Sequence, residues 1–274
     1  MKKISRRSFL AAAAVSAAAL ALTACGGASS SVASSVTSSA AASSSASGSL
    51  ATVVAGKLTM ATNATFPPYE MTTDSGDIAG IDIDTAKAIA EKLGLELQVD
   101  DMEFDAALLS VQQGKADMVM AGVTVTDERK AVMDFSDSYA TGIQSIIVPE
   151  GSDITSPDDL AGKKIGTQRG TTGYIYCSDD FGDDAVVAYD DGLTAVQALK
   201  NGQVDAVVID NAPAKEFVAA NPGLVILDTS YAEEDYAIGL AKGSALEDAV
   251  NAALEELKAD GTLQSIVDKY ITAE

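Results

Sequence analysis

Residues 108–120 read LLSVQQGKADMVM, and residues 196–208 read VQALKNGQVDAVV. Each stretch has the pattern of a helix that ends near a glycine, followed by an aspartate and an apolar strand. The two phrases occur in matching order, once in each half of the folded region, which predicts two similar α/β lobes. The alternative is that both are ordinary helix–turn–strand units of one α/β domain.

The segments on either side of this repeat also alternate between helical and strand-like patterns. A helical apolar pattern over Asp82–Leu93 lies between predicted strands at Leu58–Ala61 and Leu95–Val99. Two amphipathic helices are predicted near the end, at Ala245–Lys258 and Leu263–Tyr270. Such alternation is typical of an α/β fold with mostly parallel sheets.

Two extended stretches predict how the lobes are joined. Phe135–Val148 is long enough to carry the chain to a second lobe, and a return near Glu233–Ile238 would bring the last helices back to the first. We therefore predict one lobe at residues 56–140 plus 237–274, and a second, including the hinge strands, at residues 141–236. Two crossings form a hinge with a ligand cleft between the lobes.

The first 55 residues have the composition of an export leader and a tether. Residues 1–24 combine a basic head with a short apolar run, and Leu22-Thr23-Ala24 before Cys25 resembles a bacterial lipobox. An ordinary signal peptide with a chance cysteine is the alternative, and Arg6-Arg7 leaves both general and twin-arginine export open. Residues 25–55 are rich in serine and alanine, which predicts a disordered tether. We expect an extracytoplasmic protein, anchored to the cell membrane through lipid such as palmitate on Cys25.

The charge and the residue types present exclude several classes of function. The chain has 18 basic and 40 acidic residues, and removing the four leader cations leaves 14 against 40, a net charge near −26. Nucleic-acid binding requires basic patches and is therefore excluded. The chain has no histidine, which removes the commonest general base, the Ser-His triads and most zinc sites. We expect no metal, no cofactor and no enzymatic activity.

Arg129 is one of only two arginines after the leader. Thr126 and two acidic residues before Arg129 have the pattern of a helix start, so Arg129 would lie in the first turn, near the strand end that contains Gly122 and Thr124. It could form an exposed ion pair with Asp127 or with Glu128. It could equally lie in the cleft and hold a carboxylate through two parallel hydrogen bonds.

Two features of the second half follow predicted strands. Gln168–Gly173 reads QRGTTG and opens a predicted helix, whose free amides and the hydroxyls of Thr171 and Thr172 could bind an anion. An ordinary loop is the alternative. Asp210 ends the strand VDAVVID, where it could hold an ammonium group or cap the next helix.

Taken together, these motifs resemble the extracytoplasmic amino-acid-binding proteins of ABC importers, the family that includes glutamine-binding and lysine/arginine/ornithine-binding proteins. The resemblance covers residues 56–272. The phrases that carry it are ATNATFPPYE, GIDIDTAKAIAEKLG, AGVTVTDERKAVMDFSDSY, QRGTTG, NGQVDAVVID and LKADGTLQSIVDKY. It implies the two-lobed periplasmic-binding-protein fold and, as partners, a free amino acid and a membrane permease. We expect a monomer.

The resemblance also implies roles for individual residues. Arg129 would hold the α-carboxylate of the ligand, aided by the amides of Thr124 and Thr172. Asp210 would hold the α-ammonium, with the Gly122 carbonyl and the Thr124 hydroxyl. A zwitterion would then contact both lobes, which gives a reason for closure.

The side chain of the ligand would meet a second group of residues. Phe66 and Phe104 would enclose it, and Asn63, Asp82 and Gln168 would approach its tip. Several relatives have aspartate where this chain has Asn63, so the asparagine favours a neutral polar ligand such as glutamine over a basic one. The fold also occurs in enzymes, including dehydratases of cyclic carboxylates similar to cyclohexadienyl dehydratase, which form the alternative class, and a sensor module is a third.

Overall fold

The structure is a computed structural model that describes residues 50–271 of the 274-residue chain. The predicted signal peptide lies outside the described residues, as do Cys25 and most of the predicted tether. Across residues 50–271, none of the helices combines the length and the apolar character that crossing a bilayer requires.

The described chain alternates between strands and helices. Its strands are β1 (Lys57–Thr62), β2 (Thr65–Phe66), β3 (Glu70–Thr72), β4 (Ile78–Ala79), β5 (Glu96–Asp101), β6 (Met118–Val119), β7 (Met133–Phe135), β8 (Ala140–Pro149), β9 (Ile165–Gln168), β10 (Val186–Tyr189), β11 (Ala206–Asp210), β12 (Leu224–Ile226), β13 (Ala232–Tyr236) and β14 (Gly239–Ala241). Its α-helices are α1 (Ile81–Leu93), α2 (Phe104–Gln112), α3 (Asp127–Val132), α4 (Thr172–Phe181), α5 (Gly192–Lys200), α6 (Asn211–Ala220), α7 (Glu247–Ala259) and α8 (Thr262–Tyr270).

Two large sheets define two lobes. The sheet of lobe 1 has the order β5-β1-β6-β14-β7, and the sheet of lobe 2 has the order β10-β9-β11-β8-β12, with β13 also paired to β8. A small antiparallel sheet, β2-β3-β4, follows the first strand of lobe 1. This is the two-lobed α/β fold that the sequence predicted.

The strand directions differ from the prediction of mostly parallel sheets. Only β5, β1 and β6 run parallel in lobe 1, and only β10, β9 and β11 do so in lobe 2. The strands that enter and leave each lobe pair antiparallel with these. Every antiparallel pair of the two large sheets contains β8 or β14, the strands that follow the two crossings between the sheets.

The repeated phrase occupies equivalent places in the two lobes. LLSVQQGKADMVM contains the end of α2 and β6, and VQALKNGQVDAVV contains the end of α5 and the start of β11. The two aspartates make equivalent contacts. Asp117 accepts a hydrogen bond from the Thr59 amide of β1 at 2.7 Å, and Asp205 accepts one from the Lys164 amide, next to β9, at 2.8 Å. Each aspartate therefore fixes the beginning of the neighbouring parallel strand.

The chain crosses between the sheets twice. It leaves lobe 1 between β7 and β8 and returns between β13 and β14, and these crossings are adjacent because β8 pairs with β13 up to Ala140 and Tyr236. After the return, α7 and α8 pack against α1 of lobe 1, as the sequence predicted. The hinge is thus a two-stranded antiparallel ribbon beneath the cleft.

Candidate functional site

A cleft lies between the two lobes, and strand ends and helix starts from both line it. Its walls contain all but one of the ligand-contact residues predicted from the sequence. The lining residues are Asn63, Phe66, Glu70, Phe104, Ala121, Gly122, Thr124 and Arg129 from lobe 1, and Gln168, Thr171, Thr172 and Asp210 from lobe 2. The predicted residue that does not line the cleft is Asp82.

The two walls contact each other through hydrogen bonds. Gln168 Nε2 donates to Asn63 Oδ1 at 2.8 Å, and Arg129 Nη2 donates to the Gly170 carbonyl at 3.1 Å. The space between the walls is about 320 Å³ with its open mouth included. The lobes are therefore close together, and a bound molecule would contact both of them.

Arg129 lies in the cleft, and not in an exposed ion pair. Thr126 caps α3 by accepting a hydrogen bond from the Arg129 amide at 3.2 Å, which turns the Arg129 side chain back to the end of the preceding segment. There Nη1 donates to the Thr124 carbonyl at 2.8 Å, and the guanidinium carbon lies 5.4 Å from the centre of the Phe104 ring. The residue is 8 % exposed.

The Arg129 guanidinium forms no direct ion pair within residues 50–271. No carboxylate oxygen of residues 50–271 lies within 4.0 Å of the guanidinium, and Asp127 instead faces Lys130 at 3.9 Å. Burial lowers the pKa of Arg129, and the charge of Glu234 partly opposes this effect. A buried guanidinium that bonds only to carbonyls retains N–H donors for an anion.

Asp210 lies opposite, at the carboxyl end of β11. Although it immediately precedes α6, its side chain makes no capping hydrogen bond to that helix. It accepts instead from Gln144 Nε2 at 2.8 Å and from the Tyr236 hydroxyl. Burial raises its pKa to about 7, and the charge of Glu234 adds to this. Asp210 is therefore an acceptor poised for a cationic group.

Two polar residues of the hinge strands complete this side of the site. Glu234 of β13 accepts hydrogen bonds from Gln144 Nε2 at 2.9 Å, from the Thr172 hydroxyl at 3.0 Å and from the Thr124 hydroxyl at 3.2 Å. One carboxylate thus joins a threonine of each lobe. The sequence analysis did not predict Gln144 or Glu234 as site residues. The alternation of side chains along a strand would have placed Glu234 on the same buried face as Tyr236.

A second acidic group lies beneath the Phe66 side of the cleft. Glu70 is fully buried and lines the cleft, and Asp82 lies directly behind it, also fully buried. Asp82 Oδ2 accepts from the Gly122 amide at 3.0 Å and from the Tyr139 hydroxyl at 2.9 Å. Asp82 thus lies behind the lining residue Glu70, which was not among the predicted site residues.

The remaining predicted residues are fixed by local contacts. Asn63 Nδ2 donates to the Met102 carbonyl at 2.9 Å, which turns its Oδ1 toward lobe 2. Gly122 has a positive φ of 55°, and a Cβ there would lie 2.7 Å from the Phe66 ring, so glycine lets this ring approach the backbone. Thr171 caps α4 and thereby directs the first amides of that helix to the cleft.

Comparisons with known proteins place this arrangement in a family. Residues 58–273 match the model of the bacterial extracellular solute-binding proteins, family 3. The arginine-binding extracellular protein ArtP of Bacillus subtilis (strain 168) is 34 % identical over 230 residues, which are 80 % of this chain and 87 % of that protein. The L-cystine-binding protein TcyJ of Escherichia coli (strain K12) is 33 % identical over 224 residues, which are 80 % and 84 % of the two chains.

A solved structure agrees with the sequence relatives. The structure of an ancestral arginine-binding protein bound to glutamine superposes with a TM-score of 0.76 at 43 % identity, and the match covers 80 % of this chain and all of that one. The relatives are named as binding proteins and not as enzymes. The family resemblance and the two-lobed fold are thereby confirmed, and the chain belongs to the bacterial extracellular solute-binding proteins, family 3.

Proposed function

We propose that this protein captures a polar L-amino acid outside the cytoplasm and delivers it to an ABC importer in the membrane. The observation that carries the proposal is the pair formed by Arg129 and Asp210. They lie in different lobes and line one cleft, and the guanidinium has no carboxylate partner among the described residues. An α-amino acid has the complementary carboxylate and ammonium on one carbon. The names of the relatives, which specify arginine and cystine, support this class.

In this proposal the two ends of the zwitterion bind to opposite walls. Arg129 and the first amides of α4 hold the α-carboxylate, because a helix N-terminus and a guanidinium both favour an anion. Asp210 holds the α-ammonium, with the Gly122 carbonyl and the Thr124 hydroxyl. Since the closed cleft offers all of these contacts at once, the ligand stabilises closure.

The ligand side chain would extend between Phe66 and Phe104 toward Asn63 and Gln168. We favour a glutamine-like ligand, with a basic amino acid next. Asn63 and Gln168 are already hydrogen-bonded to each other across the cleft, and an amide ligand can join such a pair as donor and acceptor. Solved structures of ancestral arginine-binding proteins hold glutamine in one case and arginine in another, which supports both of these ligand classes.

The binding free energy expected from these contacts agrees with that of a transport protein. Hydrogen bonds to charged groups contribute roughly 1.5–3 kcal/mol each. Several of these in a closed cleft, less the cost of ordering, reach the roughly −8 kcal/mol of a micromolar site.

A thermal-shift panel of the twenty amino acids, ornithine and cystine tests the class. A ligand at a hundredfold excess over its Kd adds about 2.7 kcal/mol to the free energy of unfolding. We expect one amino acid, or a small related group, to raise the melting temperature. If none does so, and mass spectrometry of the denatured protein finds no retained amino acid, the proposal fails.

The membrane attachment is a separate proposal, which concerns residues outside the described part. We propose that lipid on Cys25 anchors the protein and that residues 25–55 let the lobes, as a monomer, reach the permease. Cys25→Ser should move the protein from the membrane fraction to the soluble fraction. An unchanged distribution would contradict a lipid anchor at this position.

A further inference from the structure

Glu234 of the hinge contacts one threonine from each wall of the cleft. Its Oε2 atom accepts hydrogen bonds from the Thr172 hydroxyl at 3.0 Å and from the Thr124 hydroxyl at 3.2 Å. Both threonines line the cleft, whereas Glu234 lies behind them, and all three residues are buried. Because an ionised carboxylate has acceptors and no donor, both hydroxyl protons point to Glu234 and away from the cleft.

A threonine hydroxyl without such a neighbour has a choice of partners. It has one proton and two lone pairs, and it rotates to suit its surroundings. The hydroxyl oxygens of Thr124 and Thr172 are 3.4 Å apart, so either could donate to the other. A hydrogen bond to an ionised group is about twice as strong as one between neutral groups. Glu234 therefore decides the orientation of both hydroxyls and leaves their lone pairs for the cleft.

Gln144 connects Glu234 to the other acid on this side of the site. Its Nε2 atom donates to Glu234 at 2.9 Å and to Asp210 Oδ2 at 2.8 Å, so both protons of this amide are used. The opposite orientation of the amide would place an acceptor oxygen between two carboxylates. The Tyr236 hydroxyl donates to the other oxygen of Asp210. The donors of Gln144 and Tyr236 are thus directed at the acids, and neither is left for a ligand.

We propose that Glu234 is a positioning residue that restricts this side of the cleft to accepting hydrogen bonds, and so selects an α-ammonium group over an α-hydroxyl group. The acceptors are the Gly122 carbonyl, Thr124 Oγ1 and the Asp210 carboxylate. An ammonium group has three donors, one for each of them. An α-hydroxyl group has one donor, and its lone pairs meet no donor here. This inference rests on the proposed amino-acid ligand.

The first test compares each amino acid with its hydroxy analogue. L-glutamine and L-arginine are titrated by calorimetry, and the 2-hydroxy acid with the same side chain is titrated by displacement of each. In the parent protein we expect the hydroxy acid to bind at least about a hundredfold more weakly, because it lacks the charge and two donors.

Glu234→Gln should narrow this discrimination. The new amide can donate to Thr124 Oγ1, so the Thr124 proton can turn to the cleft and donate to an α-hydroxyl group. Amino-acid affinity should fall about three- to tenfold, while hydroxy-acid affinity should stay within about twofold, since the new donor offsets the weaker contact between the lobes. An equal loss for both compounds would show that Glu234 acts on closure alone, and discrimination that is unchanged or larger would overturn the proposal.

Two matched variants test the route through Thr124. Glu233→Gln removes the same charge from the adjacent, exposed residue of β13 and should change neither affinity nor discrimination. Thr124→Val removes the hydroxyl through which Glu234 acts. In that background Glu234→Gln should no longer alter the discrimination, because the two effects are coupled. A shift that persists without the Thr124 hydroxyl would contradict this route.

The hydroxyl protons can also be followed by NMR without any ligand. Loss of a signal in Thr124→Val or in Thr172→Val assigns each proton in protein with labelled threonine. We expect both protons to exchange with water more slowly in the parent protein than in Glu234→Gln, and Glu233→Gln to resemble the parent. Equal exchange rates in parent and Glu234→Gln would overturn the proposal. If no amino acid binds, the proposed function fails, and these rates still decide whether Glu234 holds the two protons.

Discussion

Replacement of Arg129 is the sharpest test of the cleft. Arg129 as a residue is 8 % exposed, and its guanidinium has no carboxylate partner within 4.0 Å among the described residues. Two charge-assisted hydrogen bonds to an α-carboxylate contribute roughly 3–6 kcal/mol before ordering costs. We therefore expect Arg129→Ala to weaken binding at least about a hundredfold, which corresponds to about 2.7 kcal/mol.

Arg129→Lys refines the same prediction. Lysine retains the charge, but its single ammonium cannot replace a planar fork that bonds to the carbonyls of Thr124 and Gly170 and lies over Phe104. The expected loss is intermediate, on the order of tenfold. An affinity close to that of the parent protein would mean that charge alone is needed.

The assay is isothermal titration calorimetry with the amino acid found in the thermal-shift panel. Arg169→Ala is the matched control, because Arg169 is the other arginine of the described chain, is largely exposed, and lies 3.5 Å from Asp190. An exposed pair contributes about 0–1 kcal/mol to stability and should leave affinity within about threefold. A tenfold or smaller loss in Arg129→Ala, or an equal loss in the control, refutes the carboxylate role.

Three further predictions concern closure, the hinge and pH. Gly170→Ala places a Cβ against the end of the exposed Asp105 side chain of the opposite lobe, which must move aside when the lobes close, so binding should weaken by a few-fold at most. Gly182→Ala has a similar positive φ and open space around it, and should leave binding unchanged. Calorimetry on both variants separates the effect on closure from backbone strain. Glu234→Gln should lower the affinity for every amino-acid ligand by a similar factor, about three- to tenfold. The substitution weakens the hydrogen bonds to Thr124 and Thr172, and Glu234 faces no ligand side chain. A change in the ranking of ligand affinities would contradict this role. Glutamine affinity should fall by up to tenfold per pH unit as pH drops below about 7, because Asp210 takes up a proton there and cannot pair with the α-ammonium. Calorimetry between pH 5 and pH 8 tests this, and an affinity that does not change with pH would contradict it.

Local sequence signals located the residues that we propose hold the backbone of the ligand. Thr126 predicted the start of α3, and the first turn of that helix directs Arg129 into the cleft. Asp210 followed from its place at the carboxyl end of a strand, where ligands bind in open α/β sheets. These signals succeed because each depends on neighbours within a few residues.

The residues missed by the sequence depend on contacts between distant segments. Gln144 and Glu234 meet because β8 pairs with β13 through the hinge, with Gln144 opposite Ala232. Tyr69 follows the lining residue Phe66 by three positions, but it packs between Phe66 and Tyr236, with ring centres 5.9 and 5.3 Å away. No local pattern distinguishes a tyrosine that faces the cleft from one that lies just behind it.

The burial of acids in and behind the cleft links binding to stability. Burial raises the pKa of Asp82 to about 6 and that of Asp210 to about 7, so the folded protein binds these protons more tightly than the unfolded chain does. The stabilisation is present at low pH and is lost as pH rises from about 4 to about 7. At neutral pH the cleft therefore retains buried negative charge that is only partly neutralised. An ammonium group bound at Asp210 would neutralise this charge, and the resulting stabilisation would add to that of its hydrogen bonds. The same acids that make the closed, ligand-free lobes less stable are therefore the reason that a ligand stabilises closure.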